Sequence, residues 1–349
     1  MRARTARRVA AAAAFGGGGV GILTGAMFAL LYTEARIARK TIGEPAEDPP
    51  GSDGLYGDYH DNLVSEPPIR LAVLGDSTAA GLGVRDPMQT PSALLASGLA
   101  AFAERSVLLT NVALSGAQSS DLERQTTLAL ADDPEVAVII VGANDVTHRM
   151  RPVDSVRYLE RATRRLLASG CEVVVGTCPD LGTIEPIAQP LRYLARQWSR
   201  NLAAAQTIAV VEAGGRTVSL GALLGPEFAA RPTDMFGPDR FHPSVEGYAT
   251  AVMAVLPSLC AALDVWPLDD PLPDPVRGEA VLPIAVAAVE AVEQGGTEVA
   301  ATEVAGFERG PRGRWALLRH RRRQQLPTPE SEEQPAQESA EPTIEPETA

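Results

Sequence analysis

The chain has 349 residues, 45% hydrophobic and 21% charged, a balance that suits a folded core and excludes a wholly disordered polymer. Its formal charge of −13 argues against a nucleic-acid binder, which needs a basic face. Cys171, Cys178 and Cys260 match no metal-ligand spacing and are odd in number, so a full disulfide framework is excluded and buried free thiols are expected.

At the amino terminus, Arg2, Arg4, Arg7 and Arg8 precede a charge-free stretch from Val9 to Tyr32, 24 residues in all. At about 1.5 Å per residue a helix of that length spans a hydrocarbon core of about 30 Å, and it exceeds the roughly 7 to 15 apolar residues of a cleaved signal peptide. Residues 1–40 therefore read as a signal anchor with a transmembrane segment, although Thr33-Glu34-Ala35 resembles a small-residue cleavage site and leaves secretion as the alternative. Four arginines before the span face Arg36, Arg39 and Lys40 after it, diluted by Glu34, which favours an extracytoplasmic downstream domain. The distant basic cluster Arg309, Arg312, Arg314, Arg319, Arg321, Arg322 and Arg323 would suit the cytoplasmic leaflet but carries little topological weight.

Residues 41–68 hold Pro45, Pro49, Pro50, Pro67 and Pro68 among glycines and acids, the composition of a linker. Apolar runs at Ile69 to Gly75, Val107 to Leu114, Val136 to Gly142 and Glu172 to Thr177 predict buried strands, with Thr217 to Leu220 a weaker fifth. Helical spacing separates them at Pro91 to Glu104, Asp121 to Ala131, Asp154 to Ala168, Pro190 to Ala213 and Ser244 to Leu263. Repeated strand-then-helix order over residues 69–263 predicts an α/β domain, a doubly wound three-layer α/β/α sandwich around a parallel sheet of about five strands. Residues 264–306 read as a Pro-rich linker and an amphipathic helix, and 307–349 as a basic then acidic disordered tail, with no basic residue after Arg323.

Candidate chemistry collects beyond the strand ends, where ligands sit in such sheets. Ser77 follows the first strand directly, which suits either a nucleophile or a helix cap. Within the predicted core the imidazoles are His148 and His242. Asp239, three residues before His242 in a loop, is spaced to accept its Nδ1–H and leave Nε2 for a serine, whereas His148 sits in the polar Thr147-His148-Arg149 with only Asp145 nearby. Gly116 offers a backbone N–H unobstructed by a Cβ and Asn144 a side-chain amide, donors that an oxyanion requires; a strand-ending glycine and an Asx turn are the bland alternatives. Asp145 reads as a cap or loop hydrogen bonder. Ser77 is not in a Gly-x-Ser-x-Gly elbow, which disfavours an α/β-hydrolase.

Gly75-Asp76-Ser77-Thr78-Ala79-Ala80-Gly81, then Gly116, then Gly142-Ala143-Asn144-Asp145, then Asp239-Arg240-Phe241-His242-Pro243, in that order, resemble the SGNH hydrolase superfamily, also called GDSL esterases and lipases, over about residues 69–263. The resemblance implies a nucleophile at Ser77, oxyanion donors from the Ser77 and Gly116 amides and the Asn144 side chain, a base at His242 and its orienting partner at Asp239. Thr78 stands where leucine is common in the family. The implied activity is hydrolysis of carboxylic esters through an acyl-enzyme, without cofactor or metal, on a small-molecule, lipid or glycan ester. Two alternatives stand beside it: an acyltransferase that passes the acyl group to a lipid or cell-envelope glycan, and a catalytically inactive membrane-tethered binding module. The segment Asp180 to Pro190 forms either a wall of the acyl pocket or a purely structural loop.

Overall fold

The computed structural model describes residues 26–43, 47–57 and 66–265, together with the backbone of 282–283, 302–304 and 307–309. The first 25 residues, most of the predicted membrane span, lie outside the described residues, as does the acidic tail.

The central sheet has six strands in the order β1-β3-β2-β4-β5-β6: β1 (Gly54–Tyr56), β2 (Ile69–Gly75), β3 (Val107–Asn111), β4 (Val136–Ile140), β5 (Glu172–Gly176) and β6 (Arg216–Val218). The last five are parallel, with Leu71 opposite both Leu109 and Val136, as the alternating strand and helix pattern predicts. β1 is an addition, running antiparallel along the outer edge of β3 with Leu55 opposite Leu108. It lies in the stretch whose composition reads as a linker, and three residues among Gly and Asp give no periodic signal.

Helices cover both faces. α3 (Pro91–Ala103), α8 (Leu220–Ala230) and α10 (Val245–Ala262) pack on the side chains of Leu71, Val73, Leu109, Val138, Ile140 and Val218. The opposite pleat, Ala72, Leu74, Ala137, Ile139 and Val175, meets α4 (Leu122–Ala129), α6 (Pro152–Ala168) and α7 (Leu191–Ala213). Strands buried on both faces explain why their apolar runs are continuous rather than alternating. α6 shows the complementary logic: Ser155, Leu159, Ala162, Thr163 and Leu166 recur at helical spacing and form its buried stripe. Thr90 and Ser244 cap α3 and α10, accepting from Ala93 N (3.2 Å) and Gly247 N (3.1 Å).

Short helices complete the edge where the strands end: α2 (Ser77–Ala80) after β2, α5 (Ala143–Thr147) after β4, and α9 (Pro232–Met235) before the loop to α10. A further helix, α1, covers 26–42, crossing the boundary at 40 between predicted anchor and linker; Ala38 joins the cluster that includes Ala143, Leu181, Ile184, Phe228 and Phe236. Among the described residues α10 is the one helix long and apolar enough to cross a membrane, and most of it is buried in the domain core. Cys171, Cys178 and Cys260 are all buried free thiols. In the stretch that reads as an amphipathic helix, the described residues are extended instead: Leu282–Pro283 pairs with Thr302–Val304, which in turn pairs with Phe307–Arg309.

Candidate active site

The sheet order reverses between β2, whose next strand lies on one side, and β4, which returns on the other. The crevice at such a switch point is the natural ligand site of an open α/β sheet. Ser77 opens α2 immediately beyond β2, and Asn144 lies in α5 immediately beyond β4.

The turn that presents Ser77 admits no side chain at its first position. Gly75 has φ +138°, and a Cβ there would lie 1.9 Å from the Ile140 carbonyl oxygen, which accepts the Asp76 N–H at 3.1 Å. Buried Gln125 grips the Gly75 peptide from α4, accepting from Gly75 N (2.7 Å) and donating to Gly75 O (2.9 Å). Asp76 then caps α2, accepting from Thr78 N at 2.9 Å. Burial raises its carboxyl to about 6, against the opposing pull of the Thr78 hydrogen bond and of nearby His242.

His242 lies on the α9–α10 loop, which is closed by the Gly237 N–H to His242 O bond (2.8 Å) and the Ser244 N–H to Met235 O bond (2.9 Å). Its Nε2 is 3.0 Å from Ser77 Oγ and its Nδ1 is 2.5 Å from Asp239 Oδ2. An ionised carboxylate only accepts, so Nδ1 carries the proton and Nε2 is left as the acceptor facing the serine. Asp239 Oδ1 is occupied as well, accepting from the N–H groups of Phe241 and His242, both at 3.0 Å. Burial pushes the Asp239 carboxyl up, but the hydrogen bond from the His242 ring, the backbone donors and the histidine charge outweigh it and leave it below the usual range. Ser77 and His242 are each 7% exposed, so their interaction is shielded from water. Phe241 stands edge-on to the imidazole at 4.8 Å, and buried Tyr248 ties α10 to the α2 side by donating to Leu82 O at 2.6 Å.

Gly116 sits at the third position of a turn closed by Ala117 N–H to Leu114 O (3.0 Å), with φ +79°, the conformation that type II turns reserve for glycine. Asn144 Nδ2 donates to Ala117 O at 3.0 Å, which ties the β3 and β4 ends together and leaves its second hydrogen unused. Among the described residues neither the Ser77 nor the Gly116 N–H has an acceptor. Three donors thus stand beyond three adjacent strand ends.

Asp145 is committed elsewhere, accepting from Ser119 N (2.9 Å), Ser119 Oγ (2.5 Å) and Ser155 Oγ (2.6 Å). His148 is exposed and bonds within its own turn, its Nδ1 2.9 Å from Asn144 O. A cavity with about 860 Å³ of empty space, open mouth included, adjoins Ser77 and His242, and its wall is mainly apolar: Ile140, Leu181, Ile184, Leu224, Phe228 and Phe241 among others. The Asp180 to Pro190 segment supplies part of that wall, whereas Leu82 and Val84, also near the motifs, are buried away from it. The share contributed by α8 and the grips of Gln125 and Gln206 are absent from the sequence reading. Gln206 accepts from Cys178 N (2.8 Å) and donates to Val141 O (3.0 Å). No group of three or more metal-ligating side chains occurs among the described residues.

The profile of the GDSL-like Lipase/Acylhydrolase family matches residues 73–250, just over half of the chain. GDSL-like esterase Rv1075c of Mycobacterium tuberculosis is 40% identical over 247 residues, covering 68% of this chain and 79% of that protein. Similar solved structures include TesA (23% identity, 55% of this chain, 99% of that one, TM-score 0.44) and a lipase/acylhydrolase from Enterococcus faecalis (20%, 55%, 96%, TM-score 0.43). A catalytic mutant of Axe2, an acetylxylan esterase from Geobacillus stearothermophilus, is also similar (17%, 57%, 96%, TM-score 0.45).

Proposed function

The chain belongs to the GDSL-like lipase/acylhydrolase family, and from that premise we propose that it is a serine esterase that cleaves carboxylic esters through an acyl-enzyme on Ser77. The observation that carries this reading is the unbroken hydrogen-bonded line from Asp239 through His242 to Ser77. In the proposed cycle His242 Nε2 takes the Ser77 proton as Oγ attacks the ester carbonyl, and the Asp239 carboxylate stabilises the imidazolium that forms. The oxyanion is held by the Ser77 and Gly116 N–H groups and the free Asn144 amide hydrogen. His242 then protonates the leaving alcohol, and in the second half it activates the water that releases the acid. The apolar cavity accommodates the acyl chain. We further place the protein at a membrane through its uncharged 9–32 stretch, with the catalytic domain outside the cytoplasm, as the arginine distribution favours.

Ser77→Ala tests the nucleophile: hydrolysis of a short aryl ester by purified protein falls at least about 10³-fold and fluorophosphonate labelling disappears. Activity close to wild type in that variant rejects the assignment. Product analysis with added sugar or lipid acceptors distinguishes water from a hydroxyl as the group that resolves the acyl-enzyme.

A further inference from the structure

α1 changes character within two turns. Its residues 26–32 are uncharged and belong to the 9–32 stretch, and Met27, Phe28, Leu30 and Tyr32 are 46 to 65% exposed. Just beyond them, Glu34 and Ala38 are buried. Glu34 Oε2 accepts from Leu191 N–H at the start of α7 (3.1 Å), and Arg39 Nη2 donates to Thr147 O at the end of α5 (3.5 Å). Ala38 packs into the cluster of Leu181, Ile184, Phe228 and Phe236, all four of which line the cavity beside Ser77. The helix that leaves the uncharged stretch is therefore fixed to the rim of the cavity.

Helical rise sets how closely. At about 1.5 Å per residue, Glu34 lies about 3 Å and Ala38 about 9 Å along the axis beyond Tyr32. One headgroup layer of a bilayer is about 5 to 8 Å deep. A bilayer that receives the uncharged stretch up to Tyr32 thus has the Glu34 contact within the headgroup layer and the Ala38 contact at its outer face. Arg36 falls in the same layer at about 6 Å, where cations suit lipid phosphates, and Arg39 and Lys40 follow just outside it at about 10 and 12 Å.

We propose that the rim of this cavity, together with the exposed apolar part of α1, is a docking surface for the lipid bilayer, so that the site draws acyl esters from the membrane rather than from bulk water. The inference rests on the esterase reading and adds to it the route by which substrate arrives. An acyl chain then passes from hydrocarbon into an apolar cavity without crossing the aqueous phase.

The test uses the full chain reconstituted in phosphatidylcholine vesicles and two esters, dissolved p-nitrophenyl acetate and bilayer-embedded methylumbelliferyl palmitate. A ten-residue Gly/Ser insertion between Tyr32 and Thr33 keeps every contact of Glu34 and Ala38 but frees the domain from the surface. The expected result is acetate turnover within twofold of the unaltered chain and palmitate turnover reduced at least tenfold. Equal turnover of both esters with and without the insertion overturns the proposal. Bimane attached at Ile37→Cys, a position 57% exposed, gives a readout independent of turnover and decides the matter if the insertion damages folding: nitroxide-headgroup lipids should quench it at least twofold, and no quenching overturns the docking. Ser77→Ala run alongside keeps the two readings separate, because retained turnover in that variant rejects the esterase reading and leaves the quenching result intact.

Discussion

Single side chains at the strand ends carry separable burdens. Asn144 donates one amide hydrogen to Ala117 O and has the other free, so Asn144→Ala should lower kcat about 10²- to 10³-fold with little change in KM, the pattern of a group that acts on the transition state. A large rise in KM at unchanged kcat would instead place Asn144 in ground-state binding. Asp76 predicts a pH dependence of stability. Its carboxyl titrates near 6 in the folded chain against an ordinary value of 3.8, so the native state holds this proton more tightly and loses stability as pH rises from about 4 through 6. The loss is on the order of 3 kcal/mol at most. Asp76→Asn retains an oxygen for Thr78 N–H and removes the ionisation; its melting temperature relative to wild type should therefore increase from pH 4 to pH 7, and parallel pH profiles would contradict the argument. Asp239 has the opposite sign, since its lowered carboxyl contributes stability that disappears as the solution becomes more acidic.

Whole elements were readable to the extent that their signals are local. Strands β2, β4 and β5 stand out because burial on both faces demands uninterrupted apolar runs, and Ser77 and Asn144 follow β2 and β4 within a few positions. α8 gives no such signal: Gly221, Gly225 and Pro226 read as breakers, yet buried Leu220, Leu223 and Phe228 hold it in place, and it forms a wall of the cavity that the sequence does not reveal. Gln125 was equally illegible, because its partner is a backbone peptide 50 residues away. The turn before Ser77 yields a sharp prediction. Gly75→Ala forces a Cβ into the Ile140 carbonyl at a φ that L-residues avoid, so β2 and β4 must separate; a loss of about 3 kcal/mol or more is expected in denaturant unfolding, along with activity. A change below about 1 kcal/mol would show that the strand ends relax easily.

Across the whole molecule, the catalytic domain carries its own core on both faces of the sheet, while α1 touches it mainly at the cavity rim. A fragment of residues 47–265 should accordingly fold cooperatively and hydrolyse a dissolved aryl ester with kcat/KM within a few-fold of the full chain; failure to fold would make α1 part of the core rather than an attachment. The placement of β1 is not legible in the sequence, because the segment is held by residues far along the chain: Ser52 Oγ is 2.8 Å from Ser92 Oγ and Asn111 N–H donates to Asp53 (2.6 Å), while Tyr56 closes the segment locally on Ser52 O (2.6 Å). That small strand has a consequence for life in a crowded compartment. Without it, the outer row of β3 peptide groups would be open to any extended chain that met it, including a second copy of the protein. Three antiparallel residues, pinned at both ends, occupy that row and end the sheet with a strand too short to recruit another.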